Sequence, residues 1–130
     1  MIVDTSALMA ILLLEPDADR FAAAMVNATS LSMSAGSWIE TTAVLVRRFP
    51  QLSSVEPERS AMKIGIEIVP VTVQQAKIAG AAYRRFGRGT GHPANLNFGD
   101  CFAYALSRAT GEPLLFKGDD FAQTDVVAAL

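Results

Sequence analysis

Five carboxylates of this chain stand where chemistry can use them. Asp4 directly follows the apolar run "MIV". Glu40 lies early in "SWIETTAVLVRRF". Asp100 interrupts the apolar stretch "LNFGDCFAYAL", and Asp119 and Asp120 occupy the turn "KGDDF" after "LLF". Each has an ordinary structural use. Asp4 suits an Asx turn or a cap. Ser37 and Glu40 have the spacing of a capping box. Asp100 suits the third position of a helix capped by Asn97, where the helix dipole contributes roughly 0.3–1 kcal/mol. Asp119 and Asp120 suit a turn. Together the five demand more. A carboxylate beside Phe98, Phe102 and Phe121 loses hydration worth several kcal/mol, more than a helix dipole returns. Crowded carboxylates also repel, until some stay protonated. A hard divalent cation relieves both costs.

The donor set selects the ion. Carboxylate and water oxygens suit Mg²⁺ or Mn²⁺, whereas one His and one Cys point away from zinc. His92 lies in a Gly-rich loop and reads as a solvent or substrate contact. An oxygen-ligated divalent site suits phosphoryl chemistry, because the cation activates water near neutral pH and clamps attacking and leaving oxygens. No side-chain nucleophile is then required. Ser6 has no base at a triad spacing, and neither GxxxxGK[ST] nor GxGxxG occurs.

The elements that must position these acids alternate. "MIV", "LSM", "IEIVPV" and "LLF" read as short apolar strands. Between them, "ALMAILLLEP" predicts a helix capped by Thr5 or Ser6, and "DADRFAAAMVN" one capped by Asp17. Another opens within residues 34–37 and runs through "WIETTAVLVRRF" to Pro50. Residues 55–65 read as helical. "TVQQAKIAGAAYRRFG" has Thr72 as cap and Gly87 as stop, and "FGDCFAYALSRATG" is a buried helix ended by Gly111. Residues 124–130 add a short fifth strand or a final helical turn. The alternation predicts a parallel sheet covered on both faces. If the first and fourth strands are neighbours, the acids converge at the carboxyl ends of the strands, where α/β sheets bind ligands.

Composition sets the bounds. The chain has 130 residues, 51% of them hydrophobic, and a net charge of −2. That length fits one domain, residues 1–130. The apolar excess suggests surface covered by a partner. The run Leu8–Leu14 is too short to span a bilayer, and Asp4 stands where a secretory leader would carry positive charge. A lone thiol fits a reducing, cytoplasmic setting.

With these residues in view, "MIVDTSAL", Glu40, "GIEIVPVTVQQAKIAGAAYRRFGRG", "LNFGDCFAYALSRATGEPLLFKGDDF" and the trailing "TD" resemble PIN-domain ribonucleases. More narrowly they resemble the VapC toxins of type II toxin–antitoxin systems. The resemblance implies a PIN-like three-layer α/β/α sandwich with a short parallel central sheet. It also implies a Mg²⁺- or Mn²⁺-dependent endoribonuclease. The ligands it implies are Asp4, Glu40 and Asp100, with a fourth from Asp119 or Asp120, between which the motif does not decide. Thr5 or Ser6, and Thr124, resemble residues that orient ligands or water. A cognate antitoxin held in a groove, which would account for the apolar run Leu8–Leu14, and dimers or larger assemblies are further implications. Arg84, Arg85, Arg88, His92 and Lys117 are candidates for guiding the RNA backbone, and no residue stands out for stacking bases. Two other readings share the acids. One is a receiver-like Mg²⁺-binding signalling domain using Lys117, which would want an acidic pair after the first strand. The other is a PIN-like interaction module without turnover.

Overall fold

The computed structural model describes residues 1–50, 61 and 63–130. The described elements are β1 (Ile2–Val3), α1 (Thr5–Leu12), α2 (Ala18–Val26), β2 (Leu31–Ser34), α3 (Ala35–Arg48), β3 (Ile66–Val69), α4 (Val73–Phe86), α5 (Asp100–Thr110) and β4 (Leu114–Leu115). A 3-10 turn spans Phe121–Gln123. Most of the helix expected over 55–65 lies outside the described residues. Within them, Ala61, Lys63 and Ile64 are helical.

The strands form one parallel sheet in the order β3-β2-β1-β4. Ile2 pairs with Leu114 and Val3 with Leu115, so the first and fourth strands are neighbours as expected. Successive strand residues point to opposite faces. Ile2 and Leu114 therefore pack with Phe86, Leu96 and Leu106 in one core. Val3 and Leu115 pack with Leu8, Phe21, Met25 and Met33 in the other. The result is the three-layer α/β/α sandwich. The chain end contributes a single parallel bridge, Leu114 to Ala128, in place of a full fifth strand.

Four local expectations are corrected. Asp4, not Thr5 or Ser6, caps α1, because its carboxylate reaches the Ser6 N–H. The Ser37–Glu40 capping box does not form. Ser34 caps α3 through the Gly36 N–H, and Ser37 lies inside the helix. The first half of the apolar run from Leu8 is core rather than partner surface: Leu8, Met9 and Ala10 are buried, Ile11, Leu12 and Leu13 are half-buried, and Leu14 is 85% exposed. β3 is an edge strand, and Glu67 and Ile68, which point to opposite faces of the sheet, are both exposed instead of covered. Among the described residues, no helix is long and apolar enough to cross a membrane.

Candidate functional site

Chain direction changes at β1. The chain runs outward to β2 and β3, then returns to lay β4 on the other side of β1, which makes the crevice at their carboxyl ends a switch point. Asp4 is the first residue beyond β1 and is 2% exposed. Its Oδ2 accepts from the Ser6 N–H at 2.9 Å and the Ser6 hydroxyl at 2.6 Å. Ser6 Oγ in turn accepts the Lys117 N–H at 2.9 Å, so the loop after β4 fixes the serine that fixes the aspartate. Asp4 Oδ1 is buried and has no hydrogen-bond partner.

Glu40 reaches the crevice from α3, six residues beyond that helix's cap. Its Oε2 accepts from the Thr5 hydroxyl at 3.0 Å. Thr5 belongs to a buried polar shelf with Ser37 and Thr41: its hydroxyl also lies 3.1 Å from the Ser37 carbonyl and 3.4 Å from Thr41 Oγ1. On the other side, Gly99 lies against Glu40, and a Cβ there would overlap the carboxylate. Glycine is what lets the two elements close.

Asp100 begins α5. Asn97 Oδ1 accepts its N–H at 3.0 Å, and Asp100 Oδ2 accepts the Asn97 N–H at 2.6 Å. The capping-box pattern thus occurs here, on Asn97 and Asp100, rather than on Ser37 and Glu40. Asp100 also lines the crevice.

The acids are held out of their usual range. Burial raises Asp4, against the opposing pull of Ser6. Burial, then the Asp4 charge, raises Glu40. Asp100 is pushed up to about 7, first by burial and then by the charges of Asp4, Glu40 and Asp120, with the Asn97 N–H opposing. A cavity of about 330 Å³ opens over Asp4, Glu40, Asn97 and Asp100, with Arg48 and Lys117 among its other lining residues.

An oxygen-ligated cation fits this donor set. Hydrogen bonds from the chain fall on one oxygen each of Asp4, Glu40 and Asp100, the buried Asp4 Oδ1 is left without a donor, and burial raises all three acids, with neighbouring carboxylates adding to the rise at Glu40 and Asp100. Among the described residues, no group of three or more His, Cys, Asp and Glu side chains is drawn close enough together to hold a metal ion.

The other expected site residues are spread between the crevice and more distant contacts. Asp119 and Asp120 are both exposed in the turn after β4, and only Asp120 is among the charges acting on Asp100. The Thr124 hydroxyl donates to the Phe121 carbonyl at 2.7 Å and closes its own turn. Arg85 pairs with Asp125 at 3.2 Å and lies 4.4 Å over the Phe86 ring. His92 Nδ1 accepts the Ala94 N–H at 3.2 Å, and its ring meets Phe86 edge-on. Lys117 Nζ bonds Asp17 at 2.8 Å and Glu15 more closely, so its charge is shared with two acids. Arg84 borders a separate apolar cavity, whereas Arg88 lines a groove that also contains Glu40. Sequence reasoning named Asn97 as the cap of Asp100's helix, as observed, but missed Thr41 and the pair Arg47 and Arg48. Arg47 and Arg48 stand seven and eight residues after Glu40, a helical spacing that places them on its face.

The fold and this acidic crevice define an α/β domain whose carboxylates gather at the switch point of its parallel sheet. The PIN domain profile matches residues 1–127. The chain is 48% identical over 130 residues to Ribonuclease VapC28 of Mycobacterium tuberculosis, covering 100% of this chain and 98% of the relative. It is 46% identical over 127 residues to Ribonuclease VapC42 of the same species, covering 97% and 96%. The crystal structure of M. tuberculosis VapC20, described as a Sarcin-Ricin loop cleaving toxin, superposes with a TM-score of 0.71 at 19% identity, over 97% of this chain and 95% of that one. A toxin–antitoxin complex from Klebsiella pneumoniae gives 0.70 at 17% identity, over 99% and 97%. The chain belongs to the PIN-domain family, on its VapC branch. That membership sets aside the receiver-like alternative.

Proposed function

We infer that this chain is a Mg²⁺- or Mn²⁺-dependent endoribonuclease, the toxin of a toxin–antitoxin pair. One observation carries the reading: Asp4, Glu40 and Asp100 meet at the switch point with a buried, unpartnered Asp4 Oδ1. The relatives at 46–48% identity are named ribonucleases, which supports RNA as substrate. Asp4, Glu40 and Asp100 hold the cation, and Asp120, whose charge reaches Asp100, supplies the fourth carboxylate in preference to Asp119. When bound, the cation offsets charge on the phosphoryl oxygens and activates water. Ser6 and Thr5 fix the rotamers of Asp4 and Glu40. Glu40, anchored through Oε2, orients the attacking water and accepts its proton. Arg48 and Arg88 steer the phosphate backbone toward the crevice. The domain acts in the cytoplasm, is neutralised by a cognate antitoxin, and assembles as a dimer or larger complex.

The test is cleavage of cellular RNA by the purified, antitoxin-free chain. Cleavage is expected with Mg²⁺ or Mn²⁺, and is expected to vanish with chelator and with Asp100→Asn. A folded wild-type chain that cuts no RNA under conditions where a control toxin does would leave the inactive interaction module as the better reading.

A further inference from the structure

The turn that carries Asp100 also carries Phe98, which is 74% exposed. Its neighbours are not free to move. Asn97 is locked to Asp100 by the reciprocal hydrogen bonds, and Gly99 is packed on Glu40. The Phe98 ring meets Phe102 edge to face, with centroids 5.0 Å apart and planes at 85°. It borders a groove of about 610 Å³ that continues into the acidic crevice, since Glu40 and Asn97 line both. Arg47 and Arg88 line the same groove. Arg88 is held there by its N–H to the Leu96 carbonyl at 2.9 Å, while the Leu96 N–H returns to the Phe86 carbonyl at 2.9 Å. An exposed aromatic ring on a rigid turn, two guanidinium groups and a path to the carboxylates match single-stranded RNA. Unpaired bases stack on aromatic faces, and arginines take the backbone charge.

We propose that Phe98 is a base-stacking residue: an unpaired nucleobase beside the scissile phosphate stacks on its ring, and Arg47 and Arg88 take the flanking phosphates. The proposal deepens the ribonuclease reading and rests on it for the word scissile. Charge selects this occupant over a protein segment. An apolar helix would cover Ile39 and Phe102 but offer nothing to two guanidinium groups, whereas a single strand supplies both stacking face and phosphates.

The test uses short single-stranded oligoribonucleotides carrying 2-aminopurine, whose fluorescence is quenched by stacking. The full chain carries Asp100→Asn so that the probe is not cut. Phe98→Trp is expected to retain quenching and affinity, while Phe98→Ala and Phe98→Leu lose quenching and bind on the order of tenfold more weakly. Thermal melts check that each variant folds. Unchanged quenching in Phe98→Ala, or full retention by Phe98→Leu, would overturn the proposal. So would a Phe98→Ala variant that binds RNA normally but loses self-association in sedimentation, which assigns the ring to a protein interface. Cleavage by the otherwise wild-type chain is scored separately. Ring-dependent quenching without any cleavage supports the stacking site and rejects the nuclease reading.

Discussion

Asp4 is a carboxylate that the metal-free fold holds at a cost. It is 2% exposed, with one oxygen bonded twice to Ser6 and the other to nothing. Asn in its place keeps an oxygen for the Ser6 N–H and removes the buried charge. Asp4→Asn is therefore expected to raise the melting temperature of the chelated protein while lowering cleavage on the order of 100-fold, since even indirect perturbation of a metal site costs about 10–100-fold. A lower melting temperature would show that the Asp4 charge stabilises the fold instead. Asp100 makes the corresponding prediction for pH. Its carboxyl rises from 3.8 to about 7 on folding, so the fold favours the protonated form. The destabilisation is absent below the unfolded value, grows between pH 4 and 7, and is complete above 7. Asp4 and Glu40 shift in the same direction. The urea midpoint of chelated protein should fall across that window, and Mg²⁺ should flatten the fall. Asp17 and Asp125 are lowered, chiefly by Lys117 and Tyr104, and so contribute stability above 3.8 that is lost below it. Their window lies lower and separates from that of Asp100. Cys101, pushed up to about 11 by burial and the Asp100 charge, is an unreactive core thiol rather than a nucleophile.

At the scale of elements, two glycines set the distances. Gly36 lets α3 approach the Phe102 ring of α5, and Gly99 lets the start of α5 approach Glu40. Gly99→Ala forces the Glu40 carboxylate aside. It is expected to reduce cleavage about tenfold or more with little change in circular dichroism, and activity equal to wild type would mean the Glu40 position is not critical. Gly36→Ala overpacks α3 against α5 and is expected to destabilise by about 1–3 kcal/mol, read as a shift of the urea midpoint at unchanged slope. These are separable outcomes, because one collision is with a ligand candidate and the other with a core ring. The turn 97–100 performs two tasks at once. It caps α5 and aims Asp100, which is why the dipole argument alone could not account for that aspartate.

At the scale of the whole molecule, the sheet order brings together what the chain separates by almost its full length. Asp4 and Asp100 lie 96 residues apart in sequence, and the placement of β1 between β2 and β4 makes them neighbours across one crevice. A cation that binds only this folded arrangement stabilises it by mass action. Adding Mg²⁺ or Mn²⁺ to chelated protein is expected to raise the melting temperature by a few degrees, and the rise should disappear in Asp100→Asn. Equal rises in both would place the ion elsewhere. Much of this architecture is legible in the sequence: four apolar runs, the cap Thr72 and the stop at Gly111 all fall where their residue types require. Other features are not. Asn97–Asp100 and Ser37–Glu40 carry the same capping spacing, and only the packing of α3 against Thr5 decided which pair closed.

The sequence by itself determined the alternating α/β order, the oxygen-rich donor set and the candidacy of Asp4, Glu40 and Asp100, because those follow from periodicity, residue type and motif. Tertiary structure alone decided their convergence and the choice of Asp120 as the acid whose charge reaches Asp100. It also decided the pairing of Arg85 with Asp125 and of Lys117 with Glu15 and Asp17, the packing of His92 on Phe86, and the exposure of Phe98 beside the crevice. The physical reason is that long-range electrostatics and packing act between residues remote in the chain, where local patterns carry no record of distance.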